Sequence, residues 1–197
     1  MKAPDLRQAL MDALSKKGRA SSDYDLNKDV VLPEGRKLTP ASVLIAVRAE
    51  TGNVILTKRS AKLKHHPGQI AFAGGKQDAD DADPIAAARR EAHEEIGLMP
   101  DSVEILGTLP PHETVTGYTV TPVIALVHGP FDPTPEIGEV SEVFEVPLTH
   151  ITDPEMFRVE GRHWQGHRRH YFVVPYGSYY IWGATARILR ALADRMI

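Results

Sequence analysis

Three carboxylates crowd one short stretch of this chain, Arg90-Glu91-Ala92-His93-Glu94-Glu95-Ile96-Gly97-Leu98. On a helix, Glu91, Glu94 and Glu95 stand at i, i+3 and i+4 and share one face. Like charges so placed repel, and a hard divalent cation removes that penalty. Mg²⁺ takes oxygen ligands, usually one or two carboxylates with water and substrate phosphate. Just upstream, Gly74-Gly75-Lys76 reads as a turn that permits close backbone approach, offering a carbonyl ligand or a phosphate cradle. The plainer alternative is a solvated helix face with Arg90 paired to Glu94 at i+4. The Gly-Gly turn, a helix cap and Gly97 in phase favour the metal.

The helix that must carry these groups is well marked. Asp83 suits the N-cap, Pro84 the first helical position, and Gly97 the residue past the end. Ile85, Ala88, Ala92 and Ile96 form its core ridge. Strand-like runs precede it at 43–49 and 54–58, joined by turn chemistry at 50–53, with a short apolar run at 70–73. Further strand runs follow at 103–109, 119–127, 142–146, 157–163 and 169–175. A short helix over 4–17 carries Leu6, Leu10 and Leu14, and a closing helix from about 182 carries Ala184, Ile188, Leu192 and Met196. Strands on either side of an internal helix, with helices at both ends, predict an α/β chain whose mixed sheet is covered on both faces.

At 197 residues the chain fits a single domain, with 1–40 as an N-terminal helix and wrapping loop and 41–197 as the body. A formal charge of −3 excludes a generally basic nucleic-acid binder. The absence of cysteine excludes disulfides, thiolate zinc sites, iron–sulfur clusters and a thiol nucleophile. The best apolar runs, 43–47 and 123–127, are five residues long, against about 20 for a membrane span. Asp5 and Asp12 interrupt any secretory leader, so a cytoplasmic protein without a membrane partner is expected.

Residues 75–98 resemble the Nudix box: Gly, five residues, Glu, seven residues, Arg-Glu, an apolar residue, any residue, Glu-Glu, any residue, Gly and an apolar residue. Asp81 stands where the early Glu is expected, eight residues rather than seven separate it from Arg90, and Ala92 is small for the apolar slot. These departures resemble the coenzyme A diphosphatase branch of the Nudix hydrolases. So does the upstream run Leu56-Thr57-Lys58-Arg59-Ser60, Leu63-Lys64, His66, Gly68-Gln69-Ile70 and Phe72-Ala73-Gly74-Gly75, with Lys64 for a usual Arg and Ala73 for a usual Pro. The ending Ile181-Trp182-Gly183-Ala184-Thr185-Ala186 is also similar. Signature cover is continuous over about 56–98, and the first forty residues add nothing to it.

The resemblance implies a Nudix-type α/β/α sandwich and hydrolysis of a nucleoside diphosphate derivative by water with Mg²⁺ or Mn²⁺. By residue match it makes Glu91, Glu94 and Glu95 metal ligands, with the Gly75 carbonyl as a further one, and gives Arg90 and Gly97 structural roles. The general base is Glu142, from the later run Glu139-Val140-Ser141-Glu142, or Glu94 within the box; a solvent-facing strand carboxylate is the other reading of Glu142. Arg59, Lys62, Lys64 and His66 form a basic cluster suited to the diphosphate or to the 3′-phosphate of coenzyme A. The aromatics Trp164, Tyr171, Tyr176, Tyr179, Tyr180 and Trp182 are core residues or a surface for adenine and the pantetheine arm. The implied partner is a small coenzyme A-type nucleotide. Competing readings are a diphosphatase for NADH, ADP-ribose or a nucleoside triphosphate, and a non-catalytic nucleotide-binding module. A homodimer stays open.

Overall fold

The computed structural model describes residues 3–164 and 167–197. Its first half runs α1 (Ala3–Ser15), β1 (Ser21–Ser22), β2 (Thr39–Arg48), β3 (Asn53–Arg59), β4 (Ile70–Ala71), β5 (Ala73–Lys76) and α2 (Pro84–Ile96). The second half runs β6 (Val103–Thr108), β7 (His112–Glu113), β8 (Tyr118–Val127), β9 (Val140–Pro147), α3 (Leu148–Ile151), β10 (Arg158–Trp164), β11 (His167–Val173) and α4 (Gly183–Met196).

β2 is the spine of a branched mixed sheet. One edge pairs in parallel with β8 along its whole length, Thr39 opposite Tyr118 through Arg48 opposite Val127. The other edge divides: Ala41 to Leu44 pair with β5, and Val47 pairs with Val54 where β3 begins. β3 then continues the sheet to β9 and β4. Parallel pairing explains why β2 starts at Thr39 rather than at 43, and so takes in the end of the expected 1–40 segment. β8 supplies partners for Thr39 to Ser42, which local pattern alone could not reveal.

Side-chain alternation sorts the two faces. Leu44, Ala46, Val123 and Ala125 join Ala88, Ala92 and Ile96 of α2 in one core. Ile45, Val47, Ile124 and Leu126 join Leu6 and Leu10 of α1 and Ile188, Leu189 and Leu192 of α4 in the other. The sheet is therefore an α/β/α sandwich, with the acidic helix on one side and both terminal helices on the other. The inward stripe of α4 is rotated from the expected one: Thr185, Ala186, Ile188, Leu189, Leu192 and Ala193 are buried, whereas Ala184 and Met196 are partly exposed.

Described residues before position 40 contact the rest of the chain. Arg7 Nε donates to Glu104 at 2.9 Å, Ser21 Oγ meets His112 Nδ1 at 2.9 Å, and Asn27 Nδ2 donates to the His170 carbonyl at 2.9 Å. β10 and β11 form a separate antiparallel ribbon beside α4. No helix among the described residues is long and apolar enough to cross a membrane.

Candidate active site

α2 is set by its ends. Asp83 caps the N-terminus, accepting from Ala86 N at 2.8 Å, with Pro84 following. At the other end Gly97 turns left-handed, φ 72°, and Leu98 N reaches back to the Ala92 carbonyl at 3.2 Å. The last carbonyls of a helix need outside donors. Here Thr134 N bonds the Ile96 carbonyl at 3.0 Å and Glu136 N bonds that of Glu95 at 2.9 Å. The loop leading into β9 is thereby fastened to the acidic helix, and it carries Glu139 with it.

Gly74-Gly75 is strand rather than turn, part of β5, which lies against both β2 and α2. A Cβ on Gly74 would stand 2.3 Å from the Ser42 carbonyl oxygen, and one on Gly75 would stand 2.5 Å from Glu91 Oε1. Glu95 is 5% exposed and accepts from Gly74 N at 3.0 Å. Burial pushes its carboxyl up to about 7; Glu91 and Glu139 add to the rise, against the Gly74 N–H and the Arg59 charge. Burial also raises Glu91, with Arg90 opposing and Glu94 and Glu139 reinforcing.

Arg90 holds the outer side. Nε and Nη2 fork onto Asp81 at 3.1 and 2.9 Å, while Nη1 reaches Glu91 and Glu94, each at 3.0 Å. Asp81, at the position that departs from the box pattern, also accepts from Asp78 N at 2.8 Å, and the Arg90 fork holds it below its usual range. Glu94 is exposed, so the i+4 ion pair and the crowded acidic face coexist. As the side chains stand, no three acidic or histidine groups converge on one point among the described residues.

The donor chemistry nevertheless fits a hard divalent cation. All the groups are oxygens, two carboxylates are held against a glycine strand, and their raised titration reports negative charge that burial leaves poorly compensated. Opposite Gly75 in the ladder, Ser42 is fully buried and its Oγ has no hydrogen-bond partner among the described residues.

On the α4 side of the sheet lies a cavity of about 440 Å³. Val43, Val120 and Ile188 give it an apolar floor, Phe72, Tyr171 and Trp182 bring rings, and Arg162 and Arg169 bring charge. The basic loop divides against it. His66, at φ 54°, lines the cavity; Lys62 and Lys64 are exposed and do not. Burial lowers His66, and Arg59 lowers it further. The Arg59 charge also acts on Glu95.

Glu142 lies across from Lys58 in the β3–β9 ladder, where its carboxylate accepts from Tyr179 OH. The later carboxylate whose charge reaches Glu91 and Glu95 is Glu139, three residues earlier. Tyr176 and Tyr179 pack on the core, Tyr180 donates to Glu160 at 2.7 Å, and the side chain of Trp164 lies outside the described residues. Sequence reasoning missed Glu139, Arg162 and Arg169. The clue to the arginines was their place on two adjacent strand runs; the clue to Glu139 was only its nearness to Glu142.

A branched mixed sheet between helical layers, with a glutamate-rich helix laid on a glycine strand, defines a Nudix-type hydrolase. The family model described as the NUDIX domain matches residues 38–171, and the chain belongs to that family. A relative from Enterobacter sp. (strain 638), described as an uncharacterized Nudix hydrolase NudL, is 43% identical over 154 residues, covering 78% of this chain and 80% of its own. The NudL relative of Citrobacter koseri is 40% identical over 174 residues, covering 87% and 90%. The solved Nudix hydrolase RenU of M. smegmatis superposes with a TM-score of 0.47 at 27% identity, over 64% of this chain and 80% of that one. This chain is accordingly an enzyme acting on phosphorus-containing anhydrides, of a family that hydrolyses small nucleoside diphosphate derivatives with divalent cations.

Proposed function

We propose that this Nudix hydrolase cleaves the diphosphate of coenzyme A or its acyl derivatives, giving 3′,5′-ADP and 4′-phosphopantetheine or its acyl form. One observation carries the reading: the signature segment upstream of the box spans cavity and carboxylates. His66, Gln69 and Phe72 line the cavity, and a few residues later Gly74 bonds Glu95 while Gly75 faces Glu91. A nucleotide in the cavity would extend its diphosphate along this segment toward the glutamates.

Glu91, Glu95 and Glu94, with the Gly75 carbonyl, would hold Mg²⁺ or Mn²⁺. Bound there, the cation supplies Lewis-acid polarisation of a phosphoryl oxygen and lowers the pKa of water. Arg90 orients Glu91 and Glu94 through its two Nη1 bonds. Arg59 offers charge to the diphosphate between cavity and carboxylates. The proton of the attacking water goes to a carboxylate; Glu139 joins Glu94 and Glu142 as a candidate because its charge reaches the buried pair.

The test is a panel of coenzyme A, NADH, ADP-ribose and deoxynucleoside triphosphates with Mg²⁺ or Mn²⁺, products identified by mass spectrometry. The highest kcat/KM should fall on coenzyme A, with 3′,5′-ADP released. Higher kcat/KM on any other member would overturn the assignment.

A further inference from the structure

The β10–β11 ribbon brings two like charges together. In its register Arg162 stands directly opposite Arg169. Directly opposed side chains in an antiparallel pair share a face, their Cβ atoms about 4.5–5.5 Å apart, and like charges there are destabilising. Both arginines line the cavity, as does Tyr171 on the same face of the ribbon. Rings carry them: Arg162 lies over Trp182 at 5.9 Å and Arg169 over Tyr24 at 5.3 Å.

Asp23 also lines this cavity and has partners of its own. Its Oδ1 lies 3.1 Å from His112 Nε2 and its Oδ2 accepts from Val115 N at 2.9 Å. The cavity thus joins two guanidinium groups to a ring-lined apolar space, where Tyr171 and Trp182 have centroids 5.2 Å apart. Paired guanidinium forks match phosphate oxygens, and the rings suit a flat base. All of this faces α4, whereas the glutamates face α2 across the same strands. A phosphate held here would lie on the opposite face of these strands from the glutamates.

We propose that Arg162 and Arg169 bind a phosphomonoester of the substrate outside its scissile diphosphate, namely the 3′-phosphate of a coenzyme A-type nucleotide whose base lies in the cavity. The identity of that phosphate rests on the function proposed above. The assignment moves this role from Lys62 and Lys64, which lie outside the cavity, to a pair that the sheet register creates.

Two measurements test it. First, kcat/KM is determined for coenzyme A and dephospho-coenzyme A at fixed metal and ionic strength. The ratio of the two should collapse by roughly ten- to a hundredfold in Arg162→Gln/Arg169→Gln, as expected for losing charge-assisted phosphate contacts. Arg162→Lys/Arg169→Lys should recover part of it, and Lys62→Ala/Lys64→Ala should leave the ratio within about threefold of wild type. Second, calorimetry compares 3′,5′-ADP with 5′-AMP. Wild type should prefer the 3′-phosphorylated ligand by about tenfold or more, and the double Gln variant should not. If coenzyme A is not a substrate but the preference for 3′,5′-ADP exists and vanishes in the variant, the phosphate site stands and the proposed activity falls. If coenzyme A is cleaved, an unchanged ratio or an equal affinity for both ligands in wild type overturns the site. A double Gln variant that melts well below wild type, with no recovery of the ratio by the Lys pair, also overturns it, since a structural role of the arginines would then account for the loss.

Discussion

Gly74 N donates to Glu95 Oε2 across 3.0 Å, and this bond fastens the acidic helix to the strand that leads out of the cavity. Glu95 is held by backbone on one side and exposed to the charges of Glu91 and Glu139 on the other. A buried acid so placed is ready for a cation yet costly without one. The two neighbouring glycines make the strand's part in this arrangement testable.

Gly74→Ala and Gly75→Ala should fail in different ways. A Cβ on Gly74 meets backbone of β2, 2.3 Å from the Ser42 oxygen and 2.6 Å from Val43 Cα, at a φ of 154° that favours glycine. The cost should be about 2 kcal/mol or more in chemical denaturation. A Cβ on Gly75 meets only the end of the Glu91 side chain, which can swing away. Gly75→Ala should lose less than about 1 kcal/mol of stability, yet need about tenfold more Mg²⁺ or Mn²⁺ for half-maximal activity, since the proposed ligand Glu91 would be displaced. Equal stability losses would contradict the contact geometry.

The buried carboxyl also fixes a sign for pH dependence. Raising Glu95 from 4.5 to about 7 means that the native state binds more protons than the unfolded state between those values. Its stabilising contribution is full below about 4.5 and is lost as pH rises through about 7. In chelator-treated protein, wild type should lose several degrees of Tm relative to Glu95→Gln between about pH 5 and 8. Saturating divalent cation should abolish that loss, because it favours the ionised form. Thermal scans of both proteins, with and without metal, provide the check; parallel curves would contradict a buried, uncompensated Glu95.

What was legible in the sequence followed from local periodicity. Asp83, Pro84 and Gly97 bracket α2, its ridge includes the buried Ala88, Ala92 and Ile96, and a strand-like apolar run marked β8. What was not legible depends on distant partners. The reach of β2 back to Thr39 needs β8, and Gly74-Gly75 becomes strand by pairing with Ser42 and Val43, which leave room for no Cβ on Gly74. The glutamate face was readable because helix spacing alone brings those groups together. The opposition of Arg162 and Arg169 needs ribbon register, and the approach of Glu139 to Glu95 needs Glu136 N to cap a helix carbonyl. Neither relation is encoded within a window of a few residues.

Glu91→Gln and Glu95→Gln should each reduce kcat by on the order of a hundredfold or more while preserving far-UV circular dichroism. Each keeps the side-chain shape and removes charge that a hard cation requires. The free proteins should be no less stable than wild type near pH 8, because a buried or repelled charge has been removed. The readout that separates a ligand from a structural residue is thermal: divalent cation should raise the Tm of wild type, and of the variants much less. Near-normal turnover, or an undiminished metal-induced rise, would remove that residue from the proposed ligand set.

The last comparison concerns the proton acceptor. Glu139 and Glu142 lie three residues apart; the charge of Glu139 is felt at Glu91 and Glu95, while Glu142 accepts from Tyr179 OH. Tyr179 in turn stacks on Phe144 with ring centroids 3.6 Å apart, so Glu142 helps to hold an aromatic pair beside β9. Glu139→Gln should therefore lower kcat by roughly 10²–10⁴, the range of general base catalysis, and flatten the acidic limb of the pH–rate profile. Glu142→Gln should lower Tm modestly and retain that limb, because a glutamine carbonyl can still accept from the tyrosine. The two profiles, measured on one substrate at saturating metal, decide between them. A lost limb in Glu142→Gln with an intact one in Glu139→Gln would return the base to Glu142, and an intact limb in both would leave it with Glu94.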